Sequence, residues 1–291
     1  MHMVRPLTWA EALAAKAAAP ALLPIAGGTD VMVDLNFDRR RPPGLLDLTR
    51  VAELGEWTVS EGTVTLGAGV TYAQVVADLP VLLPGLAMAS RTVGSPQIRN
   101  RGTVGGNLGS ASPAGDAHPP LLAARAVVEV ESVRGRRGVP VGDFFTGVKR
   151  SVLEPDELIR SVHVPCASGP EQFSKIGTRN AMVIAVASFA LRVDLPGRRV
   201  VTGIGSAAPT PRVAAEAETF LAGAFEESGA WGSGAPLAPS VVDRFADLVA
   251  AAADPIDDVR GSAAYRRHAL RVMARRTLTW AWDAYRQGVP V

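Results

Sequence analysis

Two glycine-rich stretches are the parts of this sequence best suited to chemistry: IAGGTD at residues 25–30 and RGTVGGNLGSASPAGDAHP at residues 101–119. Each places a Gly-Gly pair beside a hydroxyl, amide or carboxyl residue at the end of an apolar run. Glycine leaves backbone N–H groups unobstructed, and such groups at a turn or helix start attract anions such as a pyrophosphate. The two stretches together predict two cradles for one long dinucleotide. An ordinary turn without a ligand is the alternative for each.

Several other kinds of site are excluded by what the sequence lacks. There is no P-loop motif, and GAGVTY begins like a dinucleotide fingerprint but carries Tyr72 where the third glycine belongs. No nucleophile elbow is present, and the single cysteine, Cys166, cannot support a disulfide, a cysteine-rich zinc site or an iron–sulfur cluster. The four histidines have no HExxH-like spacing. We therefore predict neither a catalytic side chain nor a metal ligand.

Composition places the chain among ordinary globular proteins. Of 291 residues, 47% are hydrophobic and 20% charged, with a formal net charge of +2, which argues against a nucleic-acid-binding protein. No apolar run is long enough to span a membrane, and residues 1–24 lack the features of a signal peptide. These features predict a cytoplasmic protein.

The elements that must position the two stretches can be read from local signals. Thr8 and Thr71 each begin a capping-box spacing and predict helix starts. The first fifty residues alternate between helical and strand patterns, which predicts a small parallel α/β unit. From Glu56 onwards a hairpin and further strands are expected, and the last third is expected to be strands followed by helices, one of them ending at Gly223. PCASGP, at residues 165–170, has the composition of a loop between domains.

The glycine stretches lie within longer motifs that resemble a known family. AGGTD at 26–30 and GSPQIRNRGTVGGNLGSASPAGDAHPPLLA at 94–123 are similar to the FAD-binding medium subunit of the molybdenum hydroxylases, the family of xanthine dehydrogenase and carbon monoxide dehydrogenase. The resemblance continues through FSKIGTRNAMVIAVASFAL at 173–191, GIGSAAPTPRVAAEAETFL at 203–221 and DDVRGSAAYRRHALRVMARRTL at 257–278. It covers nearly the whole chain.

The resemblance implies an α+β fold in two domains. Residues 1–168 would form a PCMH-type FAD-binding domain of two α/β subdomains, with their boundary near residue 55. Residues 169–291 would form a C-terminal domain of three-stranded antiparallel sheet plus helices.

The resemblance also implies a role for particular residues. The first stretch would wrap the FAD pyrophosphate with backbone amides, and the second would bind the diphosphate and ribityl region. Asp116 would hold the adenosine ribose or nearby groups, and Lys175 would reach the polar edge of the isoalloxazine, where a cation stabilises the negative charge gained on reduction. Val93 and Ile159 would provide apolar contacts. The full set is Ile25, Ala26, Gly27, Gly28, Thr29, Asp30, Val93, Thr103, Gly106, Asn107, Asp116, Ile159 and Lys175. Without the resemblance, Lys175 reads as a surface lysine, Asp116 as a helix N-cap and Asn107 as a turn residue.

For function, the resemblance implies a flavin subunit of a larger enzyme. Electrons would come from [2Fe–2S] clusters on a small partner subunit, fed by a large molybdenum-cofactor subunit, and would pass from FAD to NAD⁺ or another acceptor. A dimer of heterotrimers and a xanthine dehydrogenase-like activity are expected. Two alternatives remain at this point: a stand-alone FAD-dependent oxidase of the vanillyl-alcohol oxidase type, and a cofactor-free scaffold subunit.

Overall fold

The computed structural model describes residues 2–288. The strands are β1 (His2–Val4), β2 (Leu23–Ile25), β3 (Gly44–Asp47), β4 (Trp57–Ser60), β5 (Thr63–Gly67), β6 (Val127–Ser132), β7 (Gly135–Pro140), β8 (Phe145–Gly147), β9 (Arg150–Ser151), β10 (Leu158–Pro165), β11 (Glu171–Ile176), β12 (Ala187–Asp194) and β13 (Arg199–Gly205). The α-helices are α1 (Trp9–Ala18), α2 (Val31–Asn36), α3 (Tyr72–Asp78), α4 (Pro84–Thr92), α5 (Pro96–Arg99), α6 (Val104–Ser110), α7 (His118–Ala123), α8 (Val141–Phe144), α9 (Ala215–Glu227), α10 (Ala230–Ser233), α11 (Pro239–Ala251) and α12 (Ala263–Arg286), and a 3₁₀ turn spans Ala52–Gly55.

The N-terminal unit is a three-stranded parallel sheet in the order β1-β3-β2, as the alternating pattern predicts. Its first helix starts with the expected capping box: the Thr8 hydroxyl accepts from the Glu11 N–H, and the Glu11 carboxylate accepts from the Thr8 N–H. This satisfies N–H groups that a helix start leaves free. Strand β2 ends at Ile25, the first residue of the first glycine stretch.

A five-stranded antiparallel sheet follows, in the order β4-β5-β10-β6-β7. Strand β6 alternates half-buried and buried residues, so one of its faces contributes to the core. Helix α3 starts with the second predicted capping box, Thr71 with Gln74. The short helices α4 to α7 connect β5 to β6 and carry the second glycine stretch, whose centre is α6.

The C-terminal part is a three-stranded antiparallel sheet, β11-β12-β13, covered by α9, α11 and α12. Every residue of β12 is buried, because helices lie against both faces of this strand. The helix predicted to end at Gly223 continues to Glu227, so that prediction is wrong. A parallel sheet and separate antiparallel sheets, each with flanking helices, confirm the α+β fold class.

The two halves of the chain are joined where α7 lies on β12 and β13 and where α4 lies on β11. Gly203 on β13 permits this approach, since a Cβ there would be 2.1 Å from the Pro119 carbonyl oxygen. On the second contact, the Glu171 carboxylate accepts from the Gly85 N–H at 3.0 Å and lies 3.1 Å from the Arg192 guanidinium. These contacts bring β11, which carries Lys175, next to the second glycine stretch.

Candidate functional site

The first glycine stretch is an open backbone loop between β2 and α2. Gly28 has a φ of +76°, a left-handed conformation that strongly favours glycine. Over the described chain, the backbone N–H groups of residues 27–30 donate to no protein acceptor. A row of N–H groups without protein partners at a turn is the arrangement that binds a diphosphate. The loop therefore offers the free N–H groups that the prediction requires.

The second stretch is built differently from the prediction. Thr103 caps α6, and its hydroxyl oxygen accepts from the Gly106 N–H at 2.9 Å. The N–H groups of Val104 and Gly105 donate to the carbonyls of Val70 and Ala68, each at 3.0 Å, and the Asn107 N–H donates to the Thr103 carbonyl. The expectation of a second row of free amides is therefore wrong. Within residues 103–107, the Thr103 hydroxyl proton and the Asn107 side chain remain available to a ligand.

The two stretches are nevertheless adjacent. A Cβ on Gly27 would lie 1.8 Å from the Arg101 carbonyl oxygen, so only glycine permits this approach of the two backbones. Thr71 and Thr103 form an isolated antiparallel bridge that holds the second stretch beside the start of α3. The prediction that both stretches serve one site is compatible with this contact.

Asp116 and Lys175 form a buried ion pair between the two halves of the chain. Lys175 Nζ lies 2.6 Å from Asp116 Oδ2, and the side chains are only 6% and 10% exposed. The same ammonium donates to the Thr92 carbonyl at 3.2 Å, beside Val93. Lys175 is thus not a surface lysine, and Asp116 is not a helix N-cap, because Ala117 occupies that position in front of α7.

The contact between Asp116 and Lys175 is incompatible with the separate roles expected for them, at the adenosine ribose and at the isoalloxazine edge. An extended FAD separates its adenosine ribose from its isoalloxazine by the whole diphosphate and ribityl chain. Two groups 2.6 Å apart cannot serve those two ends separately. Asp116 therefore does not hold the adenosine ribose while Lys175 reaches the isoalloxazine edge.

The carboxyl of Asp116 is also electrostatically unusual. Burial raises its pKa from 3.8 to about 6, and the neighbouring Lys175 ammonium offsets part of that rise. One oxygen bonds to Lys175, and the other, Oδ1, is buried without a hydrogen-bond partner. Unpartnered buried oxygens are rare in folded proteins and call for a specific explanation.

The remaining predicted residues surround these two features. Ile25 ends β2, and its carbonyl accepts from the Leu48 N–H, which fixes the start of the first loop. Val93 follows α4 and packs on the N-terminal core. Ile159 lies on β10, and a Cβ on Gly109 of α6 would be 3.7 Å from its Cδ1. Ala26, Thr29 and Asp30 complete the first loop at its partly or fully exposed surface.

Tyr72 is a residue of this region that sequence reasoning missed. Its hydroxyl is buried and has no hydrogen-bond partner, and Asn107 Oδ1 is in the same condition. A tyrosine after a capping threonine carries no motif signal, so the sequence gives no reason to select it.

His118 has a structural role beside the site. It is fully buried, packs against Phe145 with the rings tilted by 46° and their centroids 4.5 Å apart, and bonds through Nε2 to the Asn107 carbonyl at 3.2 Å. Burial lowers its pKa to about 4, so the ring is neutral near pH 7. A neutral, enclosed imidazole supports the end of α6.

The donors of this region fit FAD. Free amides and a left-handed glycine suit a diphosphate, and a buried lysine next to unpartnered polar oxygens suits the polar groups of a flavin. Within residues 2–288 no three His, Cys, Asp or Glu side chains are grouped to hold a metal ion. Nor does that part of the chain contain a helix both long and apolar enough to cross a membrane.

Comparison with protein families gives two matches in succession. Residues 1–167 match the family described as FAD binding domain in molybdopterin dehydrogenase. Residues 172–281 match the family described as CO dehydrogenase flavoprotein C-terminal domain.

Individual relatives agree with these matches. The xanthine dehydrogenase FAD-binding subunit of Escherichia coli O157:H7 is 29% identical over 95% of this chain and 94% of its own length. The nicotine 6-hydroxylase medium subunit of Paenarthrobacter nicotinovorans is 30% identical over 88% of each chain. A solved carbon monoxide dehydrogenase structure from Hydrogenophaga pseudoflava superimposes with a TM-score of 0.86 at 26% identity, covering 97% of both chains. The chain thus belongs to the FAD-binding flavoprotein subunits of the molybdenum hydroxylases, a family of oxidoreductases, and FAD is its cofactor.

Proposed function

We propose that this chain is the flavin subunit of a multi-subunit molybdenum hydroxylase of the xanthine dehydrogenase type. It accepts electrons from [2Fe–2S] clusters of a partner subunit and passes them to NAD⁺ or another acceptor. The observation that carries the proposal is the loop of free amides at residues 27–30, next to the second glycine stretch and in a chain of this family.

Different residues bind different parts of FAD in this proposal. The first loop, residues 25–30, binds the diphosphate through its N–H groups. The Thr103 hydroxyl and the Asn107 side chain bind the diphosphate–ribityl region, on the helix turn that contains Gly106. Lys175 places its ammonium at the polar edge of the isoalloxazine, and Asp116 fixes the position of that ammonium. Val93 and Ile159 supply apolar contact.

FAD, when bound, supplies both one-electron and two-electron redox chemistry, which suits a junction between iron–sulfur clusters and a hydride acceptor. The chain itself has one cysteine and so cannot bind a cluster through cysteine thiolates. The clusters and the molybdenum cofactor therefore belong to a small and a large partner subunit, in a dimer of heterotrimers in the cytoplasm.

The proposal also divides the chain near residue 168. In this proposal residues 1–168 are the FAD-binding domain, with two subdomains that meet near residue 55, and residues 169–291 are the C-terminal domain. Residues 1 and 289–291 lie outside the described part of the chain. Support comes from two separate hydrophobic cores, one drawn from residues 9–164 and the other from residues 187–282. The parallel and antiparallel sheets of the first part change over near residue 55.

The substrate is proposed to be a purine, by likeness to the xanthine dehydrogenase subunit of Escherichia coli O157:H7 over 95% of this chain. A nicotine hydroxylase subunit is similar to nearly the same extent. In this proposal the molybdenum subunit selects the substrate.

Affinity purification of the tagged full-length chain from its native cells tests the proposal. We expect one dissociable FAD per chain, two further subunits, and molybdenum and iron in the eluted complex. Under anaerobic conditions, xanthine should bleach the flavin absorbance, and NAD⁺ should restore it. A chain that elutes alone with covalently bound flavin, or that stays colourless after soaking in FAD, contradicts the proposal.

The two alternative functions are not favoured. The matched C-terminal family describes a CO dehydrogenase flavoprotein, whereas an oxidase of the vanillyl-alcohol type would need its own substrate domain. A cofactor-free scaffold would not need a left-handed Gly28 within a row of free amides.

A further inference from the structure

Tyr72 occupies the junction of the two glycine stretches. Its backbone N–H donates to the Gly102 carbonyl at 3.1 Å. Its ring lies against the same residue, since a Cβ on Gly102 would be 3.2 Å from Cδ2. Both contacts fix the tyrosine to the start of the second stretch, directly beside the Gly27–Arg101 contact.

The phenol group of Tyr72 is within electrostatic range of carboxylates from both parts of the site. Burial first, and then the negative charges of Asp116 and Asp30, raise the pKa of the Tyr72 phenol well above its ordinary value. Asp30 ends the first loop, and Asp116 belongs to the ion pair with Lys175. One hydroxyl therefore lies within electrostatic range of the first loop, the second stretch and the pair.

That hydroxyl has no hydrogen-bond partner in the chain. Tyr72 is only 3% exposed, and its oxygen is buried among protein atoms. Buried tyrosine hydroxyls normally bond to a partner, because an unpaired buried polar group destabilises the folded state. The raised pKa keeps the phenol neutral, so it is a donor. No carboxylate or other protein group accepts this proton, so the hydroxyl can donate to a ligand.

We propose that Tyr72 is a further FAD-binding residue, whose hydroxyl donates to an oxygen of the diphosphate–ribityl segment of the cofactor. The inference rests on the proposed function and adds to it a donor outside both glycine stretches. The negatively charged diphosphate supplies the acceptor that the protein lacks. The ring packs against Gly102, and the hydroxyl donates to the ligand.

The test is the Tyr72→Phe variant, which removes the hydroxyl and keeps the ring against Gly102. Full-length protein is freed of flavin, and FAD is titrated back while flavin fluorescence is followed. We expect the dissociation constant for FAD to rise about tenfold to a hundredfold, the range for losing a hydrogen bond to a charged group. Tyr285→Phe is the matched control, since Tyr285 is 36% exposed near the end of α12, and we expect its affinity to be unchanged.

A second readout separates a ligand role from a structural one. Without FAD, Tyr72→Phe should melt at the same temperature as the wild type or higher, because an unpaired buried hydroxyl is removed. With saturating FAD, its gain in melting temperature should be smaller than the wild type's. A structural hydroxyl would instead lower the melting temperature in both conditions.

The possible failures are distinguishable. Wild-type protein that does not bind FAD at all contradicts the proposed function. Wild-type protein that binds FAD, together with a Tyr72→Phe variant of equal affinity, overturns the role of Tyr72 and leaves the proposed function intact. A variant that is destabilised equally with and without FAD also overturns it.

Discussion

At the scale of single residues, Gly28 shows how backbone geometry and ligand chemistry coincide. A valine at its φ of +76° would strain the chain by about 1–2 kcal/mol and place a branched side chain beside the free amides. We expect Gly28→Val to remain folded by circular dichroism and to lose bound FAD, measured as the ratio of flavin to protein absorbance.

Gly62 offers the matched control for this change. It has a φ of +71° at the tip of the β4–β5 hairpin, with no atom within 4 Å of its added Cβ. Gly62→Val should therefore produce similar backbone strain and retain its flavin. Equal flavin loss in both variants would attribute the effect to strain alone and would remove the first loop from the binding site.

Asp116 gives a prediction for the dependence of stability on pH. Its folded pKa of about 6 lies above the unfolded value of 3.8, so the folded protein binds this proton more tightly. The resulting stabilisation is fully present below about pH 4 and is lost as the pH rises through 6. In flavin-free protein, the wild type should lose unfolding free energy relative to Asp116→Asn across this window, by up to about 1.4 kcal/mol per pH unit. Urea unfolding at several pH values measures it, and parallel curves would contradict it.

The sequence predicts features that depend on local backbone geometry, such as a glycine turn. It does not predict contacts between residues that lie far apart in the chain. The Gly-Gly pair before Thr29 indicates an exposed turn by itself. The amides of Val104 and Gly105 are occupied by carbonyls of Val70 and Ala68, which lie more than thirty positions earlier. No local pattern reports such partners. The Asp116–Lys175 contact spans 59 positions and is hidden for the same reason.

At the scale of elements, the contact between α4 and β11 depends on one buried carboxylate. Glu171 accepts from the N–H of Gly85 and faces Arg192, with side-chain exposures of 7% and 8% for the ion pair. Glu171→Gln would leave a buried guanidinium without its counter-charge, although backbone carbonyls of Pro165 and Cys166 still accept from it. We expect a loss of about 3 kcal/mol in unfolding free energy, measured by urea denaturation.

The exposed pair of Arg198 with Glu226 is the control at this scale. Its side chains are 64% and 63% exposed, so solvent screens their interaction. Glu226→Gln should change the unfolding free energy by less than about 1 kcal/mol. Similar losses in the two variants would mean that burial of the Glu171 pair contributes nothing particular.

Helices and strands with strong end signals were predictable, because those signals act within four residues. Both capping boxes form as expected at Thr8 and Thr71. β1 was not predicted, since its three residues owe their extended form to pairing with β3 some forty positions later. Helix α9 continues past Gly223 because Phe225 anchors its next turn in the C-terminal core, and this burial outweighs the low helix propensity of glycine.

At the scale of the whole molecule, the Asp116–Lys175 pair depends on how closely the two halves of the chain approach each other. Asp116 lies two residues before α7, and Lys175 lies on β11 of the sheet against which α7 packs. Gly203 sets the spacing of that contact, because its missing Cβ would otherwise be 2.1 Å from the Pro119 carbonyl oxygen. A methyl group at this position must push α7 away from β13. The pair of Asp116 and Lys175 would then be displaced with it.

We therefore expect Gly203→Ala to lower the unfolding free energy by about 1–3 kcal/mol, the usual range for overpacking, and to weaken FAD binding as well. Gly223→Ala is the control: this glycine is exposed on α9 with nothing within 4 Å of an added Cβ, so the change should stabilise the protein by up to about 1 kcal/mol and leave FAD affinity unchanged. Urea unfolding and FAD titration of both variants measure the two effects. If Gly203→Ala loses stability but binds FAD as the wild type does, the spacing of the halves supports the fold alone, and the position of Lys175 relative to the cofactor is set within its own sheet.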